Sequence, residues 1–154
     1  MYYYSTKQVR TNKGTFLELV KEEAIEYENT SIASPDDIYK IMESLKVLDR
    51  DVEQFWSICL DGKNKVCGKF LISQGCTNSA IVLPKEIYKR ALMVNTTNII
   101  FSHNHPSGVL TPSGEDIMLT KRLESAGELL GVKVLDHVIV SDTGFYSLKS
   151  SGDF

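Results

Sequence analysis

The sequence predicts a mixed α/β fold in which a central β-sheet is flanked by helices. Segments with the two-residue periodicity of strands alternate along the chain with segments whose apolar residues recur every three to four positions, as in helices. Helix-start signals precede the helical segments, and Gly131 follows the last of them. The length of 154 residues and the 42% hydrophobic content fit one domain with a buried core.

The first 33 residues are predicted to be an N-terminal extension that contains an edge strand or strands, and residues 34–154 are predicted to form the domain itself. Over residues 15–27, apolar side chains are mixed with Glu and Lys. This pattern fits an edge strand pair or a frayed helix, and we favour strand. An exposed edge strand can pair between copies of the chain, which makes a homo-oligomer one expectation.

The first helix is predicted to start at Ser34. This residue is a suitable N-cap, Pro35 suits the first helical position, and Asp37 completes a capping box. The apolar face that follows at helical spacing consists of Ile38, Ile41, Met42, Leu45 and Leu48.

Strands and two further helices are predicted to alternate after this helix. Asp61 and Gly62 form a hairpin turn signal. The predicted strands are residues 55–60, 65–73, 98–101, 132–140 and 145–148, and the predicted helices run from 84 to about 95 and from either 111 or 113 to 130.

Two histidines follow the apolar strand at residues 98–101. His103 and His105 are two positions apart, so both imidazoles leave the strand on the same face. The proline and glycine that follow end the strand and allow a turn, which can return Asp116 as a third ligand. Three protein ligands with one open position are typical of catalytic zinc sites, whereas structural sites usually have four. The spacing therefore predicts a catalytic zinc site.

Ser113 and Asp116 also have a second interpretation. Their spacing is that of a capping box, and the helix dipole favours an acidic residue in the first turn. The two roles of Asp116 are compatible, because a carboxylate at the start of a helix can face the end of a strand. Ser113 is either the cap or a hydrogen-bond donor beside the metal. Glu115 is predicted to be a solvated acid.

Composition argues against several classes of partner. A net charge of −3 gives no general attraction to nucleic acid or to anionic membranes, and the basic cluster of Lys7, Arg10 and Lys13 is small. No apolar run is long enough to span a bilayer, and the N-terminus lacks the pattern of a signal peptide. A cytoplasmic protein without a membrane partner is expected.

The three cysteines do not predict a disulfide framework or a thiolate metal site. Cys59, Cys67 and Cys76 are odd in number and lack a C-x-x-C spacing. They are predicted to be small buried hydrophobic residues.

The pattern H-x-H-x7-S-x2-D is accompanied by longer matching segments. They are Ser102-His103-Asn104-His105-Pro106-Ser107-Gly108, Thr111-Pro112-Ser113-x-Glu115-Asp116, Ala126-Gly127-x-Leu129-Leu130-Gly131 and Val134-Leu135-Asp136-His137-Val138-Ile139. Together they resemble the JAMM signature of the JAB/MPN metalloprotease superfamily, in its RadC branch. Weaker similarity reaches back to residues 34–35. The resemblance implies a single JAB/MPN-type, cytidine-deaminase-like domain. The first 33 residues are too few for the helix-hairpin-helix module of longer relatives and lack its hairpin glycines, so we expect a short form without that module.

The resemblance also implies a role for each site residue. His103, His105 and Asp116 correspond to the zinc ligands, and Ser113 to a donor that stabilises the oxyanion. The superfamily's upstream glutamate, a general base and then acid, corresponds to Glu53, with Asp49 and Asp51 as rivals.

His137 lies in one of the matching segments but is not identified as a ligand by its spacing. It is predicted to be a buried, hydrogen-bonded structural histidine, with a role in supporting the metal site as the alternative.

The function implied is zinc-dependent hydrolysis of a peptide or isopeptide, in a family associated with DNA repair. Asn104 stands where eukaryotic isopeptidases of the superfamily usually have Ser or Thr, so their ubiquitin-like substrates do not transfer. Two alternatives remain open. One is a DNA-associated or protein-binding module without turnover. The other is a metal-dependent nuclease, although three adjacent letters His-Asn-His are not the dispersed motif of that nuclease class.

Overall fold

A computed structural model of the chain describes residues 2–24, 31–75 and 82–154. The strands are β1 (Tyr2–Thr11), β2 (Gly14–Ala24), β3 (Gln54–Leu60), β4 (Val66–Gln74), β5 (Asn98–Asn104), β6 (Lys133–Ser141) and β7 (Gly144–Ser147). The helices are α1 (Pro35–Ser44), α2 (Pro84–Met93), α3 (Gly114–Leu130) and α4 (Leu148–Ser151).

Five strands form a central mixed sheet in the order β4-β3-β5-β6-β7, while β1 and β2 form a separate antiparallel hairpin. Strands β5 and β6 are parallel, and the other neighbours in the sheet are antiparallel. Parallel neighbours need a crossover connection, and α3 provides it. The end of β5 is therefore followed directly by the loop that leads into α3.

The sheet is covered by helices on both faces, as predicted. All seven residues of strand β3 are buried, and they alternate between two cores. Phe55 and Cys59 pack with residues of α2 and α3, whereas Trp56 and Ile58 pack with residues of α1. The α2 and α3 side contains Ile87, Tyr88, Ala91, Leu119 and Leu123, and the α1 side contains Ile38, Ile41 and Met42. The predicted α/β class is confirmed.

The predicted helix boundaries are mostly confirmed. At α1, the Ser34 N–H donates to the Asp37 carboxylate at 3.0 Å. The helix ends at Ser44, however, before the predicted last apolar position Leu48, because the chain turns through Lys46 at φ 56°. At α3, Ser113 is the N-cap, which decides between the two predicted starts, and Gly131 ends the helix at φ 72°.

The structure adds a paired strand to the prediction at the N-terminal end of the chain and differs from the prediction at the C-terminal end. The strand expected within residues 15–27 is present as β2, paired with β1, and Tyr4 and Leu19 pack against the core. Residues 25–27 of that prediction lie outside the described residues. The last strand ends at Ser147 instead of Leu148, because the Ser147 hydroxyl caps α4 by accepting from the Ser150 N–H at 3.0 Å.

Cys59 is fully buried, as predicted, and burial raises the pKa of its thiol to about 12. Cys67 is half-buried, and Cys76 lies outside the described residues. None of the helices in the described part of the chain is long and apolar enough to cross a membrane.

Candidate metal centre

The predicted metal ligands meet where β5 ends and α3 begins. His103 lies in β5, and His105 follows the strand while its N–H still donates to the Val140 carbonyl of β6 at 3.0 Å. This bond keeps His105 in the strand alternation, so both imidazoles are on one face, as the spacing predicts. Asp116 is in the first turn of α3. Carboxyl ends of strands are the usual place for ligand sites in open α/β sheets.

The ligand atoms of these three residues all lie within 4.8 Å of one another. Nε2 of His103 is 2.9 Å from Nε2 of His105. The Asp116 carboxylate completes the group, with Oδ1 3.4 Å from Nε2 of His103 and Oδ2 3.7 Å from Nε2 of His105. The structure therefore brings the three predicted ligands into one cluster.

Asp116 is oriented by the capping box of α3. Its Oδ2 accepts hydrogen bonds from the Ser113 N–H at 2.7 Å and the Ser113 hydroxyl at 2.8 Å, and its own N–H donates to Ser113 Oγ at 3.1 Å. Asp116 is thus both a helix-start residue and a member of the cluster, as expected. The Ser113 hydroxyl donates its hydrogen bond to Asp116 Oδ2, so Ser113 in this arrangement supports the carboxylate.

The Asp116 carboxylate is charged. Burial alone would raise its pKa, but hydrogen bonding to His105, the nearby His103 and the Ser113 hydrogen bonds together hold the pKa well below its usual value. The start of α3 also favours negative charge. The cluster therefore contains one permanent negative charge at neutral pH.

His105 presents Nε2 to the cluster. Its Nδ1 is 2.5 Å from the Val109 carbonyl oxygen, which can only accept, so Nδ1 carries the hydrogen. In the neutral ring Nε2 is then an unprotonated donor for a metal. Hydrogen bonding to Asp116 raises the pKa of His105, and partial burial opposes that shift. Its side chain is 13% exposed, which leaves an approach from solvent.

His103 is fully buried behind His105. Its ring stacks on Phe55 with 6.1 Å between ring centroids and 14° between the planes. Burial lowers the pKa of His103 to about 4, although Asp116 acts in the opposite direction. The ring is therefore neutral at physiological pH, the form that binds metals.

His137 contacts His103 directly. Its Nε2 is 2.7 Å from Nδ1 of His103, and its Nδ1 is 2.6 Å from Oγ1 of Thr120 in α3. The prediction of a buried, hydrogen-bonded residue is confirmed, but the hydrogen-bond partner is His103, so the less favoured role in supporting the site describes its contact. Thr120 was not among the predicted site residues. Its spacing of four from Asp116 places both on one helix face and could have indicated it.

Glu53 is close enough to the cluster for its charge to act on both histidines. It precedes β3, in which Phe55 pairs with His103, so continuing this antiparallel register brings Glu53 opposite His105. Strand alternation gives Glu53 and Phe55 the same face. The negative charge of Glu53 acts to raise the pKa of both His103 and His105.

The alternative acids, Asp49 and Asp51, are exposed, and so is Glu115, which agrees with its predicted role as a solvated residue. Neither of the alternative acids is among the charges that act on the histidines. Glu53 is therefore the upstream acid with the best position.

The cluster fits a divalent cation by its chemistry. Two unprotonated imidazole nitrogens and a carboxylate oxygen are ligands that zinc prefers. The facing Nε2 atoms of His103 and His105 repel each other when both rings are neutral, and a cation or a proton between them relieves the repulsion. The structure supports a metal site, and the same donors suit more than one transition metal.

Comparisons with known proteins agree with the motif resemblance. The family model described as RadC-like JAB domain matches residues 32–153. A UPF0758 protein of Methanosarcina barkeri is 40% identical over 131 residues, which are 85% of this chain and 57% of that protein. A UPF0758 protein of Desulforamulus reducens is 48% identical over 122 residues, which are 79% of this chain and 53% of that protein. The chain spans little more than half the length of these curated relatives.

Proposed function

This chain belongs to the RadC-like JAB domain family, and we propose that it is a zinc-dependent hydrolase that cleaves amide or isopeptide bonds. One observation carries the proposal: the ligand atoms of His103, His105 and Asp116 converge within 4.8 Å. The family supports the coarser statement, a metal-dependent hydrolase. Zinc and the amide substrate are the parts that we add.

Zinc supplies Lewis-acid chemistry at such a site, because it lowers the pKa of a coordinated water to about 7 and polarises a carbonyl oxygen. His103, His105 and Asp116 would hold it. The position of Glu53 opposite His105 in the strand register suits a general base that takes a proton from the attacking water. The same carboxyl group then returns the proton to the departing amine, which converts a poor leaving group into a neutral one.

Ser113 has two tasks in this proposal. Its hydroxyl and N–H hold Asp116 Oδ2 in the resting site. Stabilising the oxyanion would require the hydroxyl hydrogen to leave Asp116 Oδ2, while the Ser113 N–H continues to hold that oxygen. One such donor typically contributes about 3 to 4 kcal/mol to a transition state.

Metal content tests the first part of the proposal. We expect about one zinc per chain in purified protein, measured by elemental analysis, and loss of that zinc in Asp116→Ala. Glu115→Ala is the matched control, since Glu115 is an exposed acid in the same helical turn outside the cluster. Protein that neither contains nor takes up zinc would exclude a zinc enzyme.

Hydrolysis tests the second part. The zinc-loaded protein is incubated with a library of linear peptides and with peptides joined through a lysine side chain, and new amines are quantified. We expect Glu53→Gln to keep its zinc and to lose about 10² to 10⁴ in rate. Full activity in this variant would remove Glu53 from the mechanism.

Duplex DNA in the same incubation distinguishes the nuclease alternative. Cleavage of DNA that disappears in His103→Ala, with no new amine from any peptide, would replace the proposed reaction with a phosphodiester cleavage. DNA binding without cleavage of either substrate class would favour the module without turnover.

A further inference from the structure

A chain of hydrogen bonds runs behind the metal cluster, from the main chain of Asp116 through Thr120 and His137 to His103. All four residues are buried. We propose that Thr120 and His137 are positioning residues that fix the tautomer of His103, so that its Nε2 is always the unprotonated nitrogen facing the metal. This inference concerns the proposed metal site, but the tautomers exist and can be measured without a metal.

The atom that carries each hydrogen in this chain can be assigned beginning with the Thr120 hydroxyl. Its hydroxyl has one hydrogen and two neighbours, the Asp116 carbonyl oxygen at 2.7 Å and Nδ1 of His137 at 2.6 Å. A carbonyl oxygen can only accept, so the hydroxyl hydrogen goes to Asp116. Oγ1 of Thr120 must then accept a hydrogen, and Nδ1 of His137 is the group that donates it.

The same reasoning assigns the hydrogens of His137 and His103. Its ring is completely buried, with Phe55 at 5.4 Å and Phe101 at 6.2 Å between ring centroids, an environment that disfavours a charged imidazolium. A neutral ring with its hydrogen on Nδ1 has a free lone pair on Nε2. That nitrogen is 2.7 Å from Nδ1 of His103, so Nδ1 of His103 carries a hydrogen and donates it.

The result is a defined tautomer for the neutral form of each metal-facing histidine. His103 has its hydrogen on Nδ1, held by His137, and His105 has its hydrogen on Nδ1, held by the Val109 carbonyl. The Nε2 lone pair of His103 therefore points into the cluster before any ion arrives, and Nε2 of His105 becomes the second metal donor when it holds no proton. A ligand of this kind usually gives its second N–H to a carboxylate, a carbonyl or water. Here His137 accepts it. Because Nδ1 of His137 donates to Thr120, Nε2 of His137 is the nitrogen that can accept from His103.

Nuclear magnetic resonance on the wild-type protein tests the proton order directly. The chain has three histidines, which simplifies assignment in ¹⁵N-histidine protein by long-range ¹H–¹⁵N correlation. We expect His103 and His137 to show the Nδ1–H tautomer in chelator-treated protein and after zinc addition. A hydrogen on Nε2 of His137, or a doubly protonated His137 at neutral pH, would overturn the proposal whether or not the protein hydrolyses anything.

Thr120→Val tests the consequence for metal binding. The substitution keeps the side-chain shape but removes the hydroxyl, so the tautomer of His137 is no longer fixed. We expect the zinc affinity, measured by competition with a chromogenic chelator, to fall about 10- to 100-fold. Thr120→Ser restores the hydroxyl and is expected to restore the affinity.

Thr96→Val is the matched control, because Thr96 is also buried but its hydroxyl lies beside Cys67, away from the cluster. We expect this variant to keep its zinc affinity. Equal losses in Thr96→Val and Thr120→Val, or no rescue by Thr120→Ser, would assign Thr120 a general structural role and overturn the proposal.

Discussion

Asn104 lies between two residues of the metal cluster, yet its side chain binds the main chain next to Glu53. Its Oδ1 accepts from the Gln54 N–H at 2.7 Å, and its Nδ2 donates to the Val52 carbonyl at 3.1 Å. These two groups belong to the peptide bonds on either side of Glu53. The amide therefore fixes the backbone that carries the proposed base. The Asn104 amide meets the two groups with two separate atoms, whereas a threonine or serine hydroxyl offers one atom on a shorter side chain.

We predict that Asn104→Leu destabilises the protein by roughly 1 to 3 kcal/mol, because leucine has a similar size but leaves the Gln54 N–H and the Val52 carbonyl without their partner. The free energy of unfolding by urea measures this. Zinc content is expected to stay at the wild-type level, since no ligand changes, while hydrolysis falls because Glu53 loses its anchor.

Asn98→Leu on the same strand is the control for Asn104→Leu. The Asn98 amide donates to a side chain, Asn64 Oδ1, at 2.9 Å in a partly exposed position. Water can replace that bond, so we expect a loss below about 1 kcal/mol. A loss in Asn104→Leu no larger than in Asn98→Leu would contradict the anchoring role.

The metal ligands could be predicted from the sequence because their geometry is local. His103 and His105 need only strand alternation, and Asp116 needs only the helix start that Ser113 signals. The support behind them could not be predicted, since His137 lies on another strand. Its contact with His103 depends on the sheet order, in which β6 is placed beside β5.

At the scale of elements, the close approach of α2 and α3 depends on Gly127. A Cβ added there would lie 2.4 Å from the Val132 carbonyl oxygen and 2.7 Å from the Tyr88 hydroxyl oxygen. The Tyr88 hydroxyl donates to the Leu123 carbonyl, so it occupies a defined position between the helices. The absence of a side chain at residue 127 lets α3 pack closely against the Tyr88 side chain of α2 and the Val132 carbonyl that follows α3.

We predict that Gly127→Ala lowers the free energy of unfolding by about 1 to 3 kcal/mol, because overpacking outweighs the gain of about 1 kcal/mol that alanine brings to a helix interior. Thermal and urea unfolding measure this. Gly114→Ala at the start of the same helix is the control, since its added Cβ meets nothing within 4 Å. Unchanged or higher stability in Gly127→Ala would show that Val132 and Tyr88 can move away from the added methyl group at little cost in free energy.

The capped helices and the apolar strands of the central sheet have strong local signals and could be predicted, whereas strand β1 and helix α4 could not. Ser34 is the N-cap of α1, as predicted, and Ser113, one of the two predicted starts, is the N-cap of α3. Strand β1 was expected only as part of an undefined edge pair, because its polar sequence acquires its structure by pairing with β2. Helix α4 was missed because one of its contacts is tertiary: the Asp136 carboxylate accepts from the Lys149 N–H at 3.0 Å.

At the scale of the whole molecule, one buried charge opposes folding. Lys69 in β4 is fully buried, and its Nζ has no hydrogen-bond partner among the described residues. Burial lowers the pKa of its amine to about 8. In the unfolded chain the same amine has a pKa near 10.5. The folded state therefore binds the proton less tightly, and at neutral pH folding forces this charge out of water.

We predict that Lys69→Met stabilises the metal-free protein at pH 7 by roughly 2 to 3 kcal/mol, because the variant has no charge to bury. Between pH 8 and 10.5 the unfolded wild-type chain binds more protons at this residue than the folded chain, so wild-type stability rises with pH relative to the variant. Urea unfolding at pH 7 and pH 10 measures the difference. Lys85→Met removes an exposed lysine and is expected to change stability little at either pH. A pH-independent gap between Lys69→Met and the wild type would mean that Lys69 keeps its ordinary pKa in the folded protein.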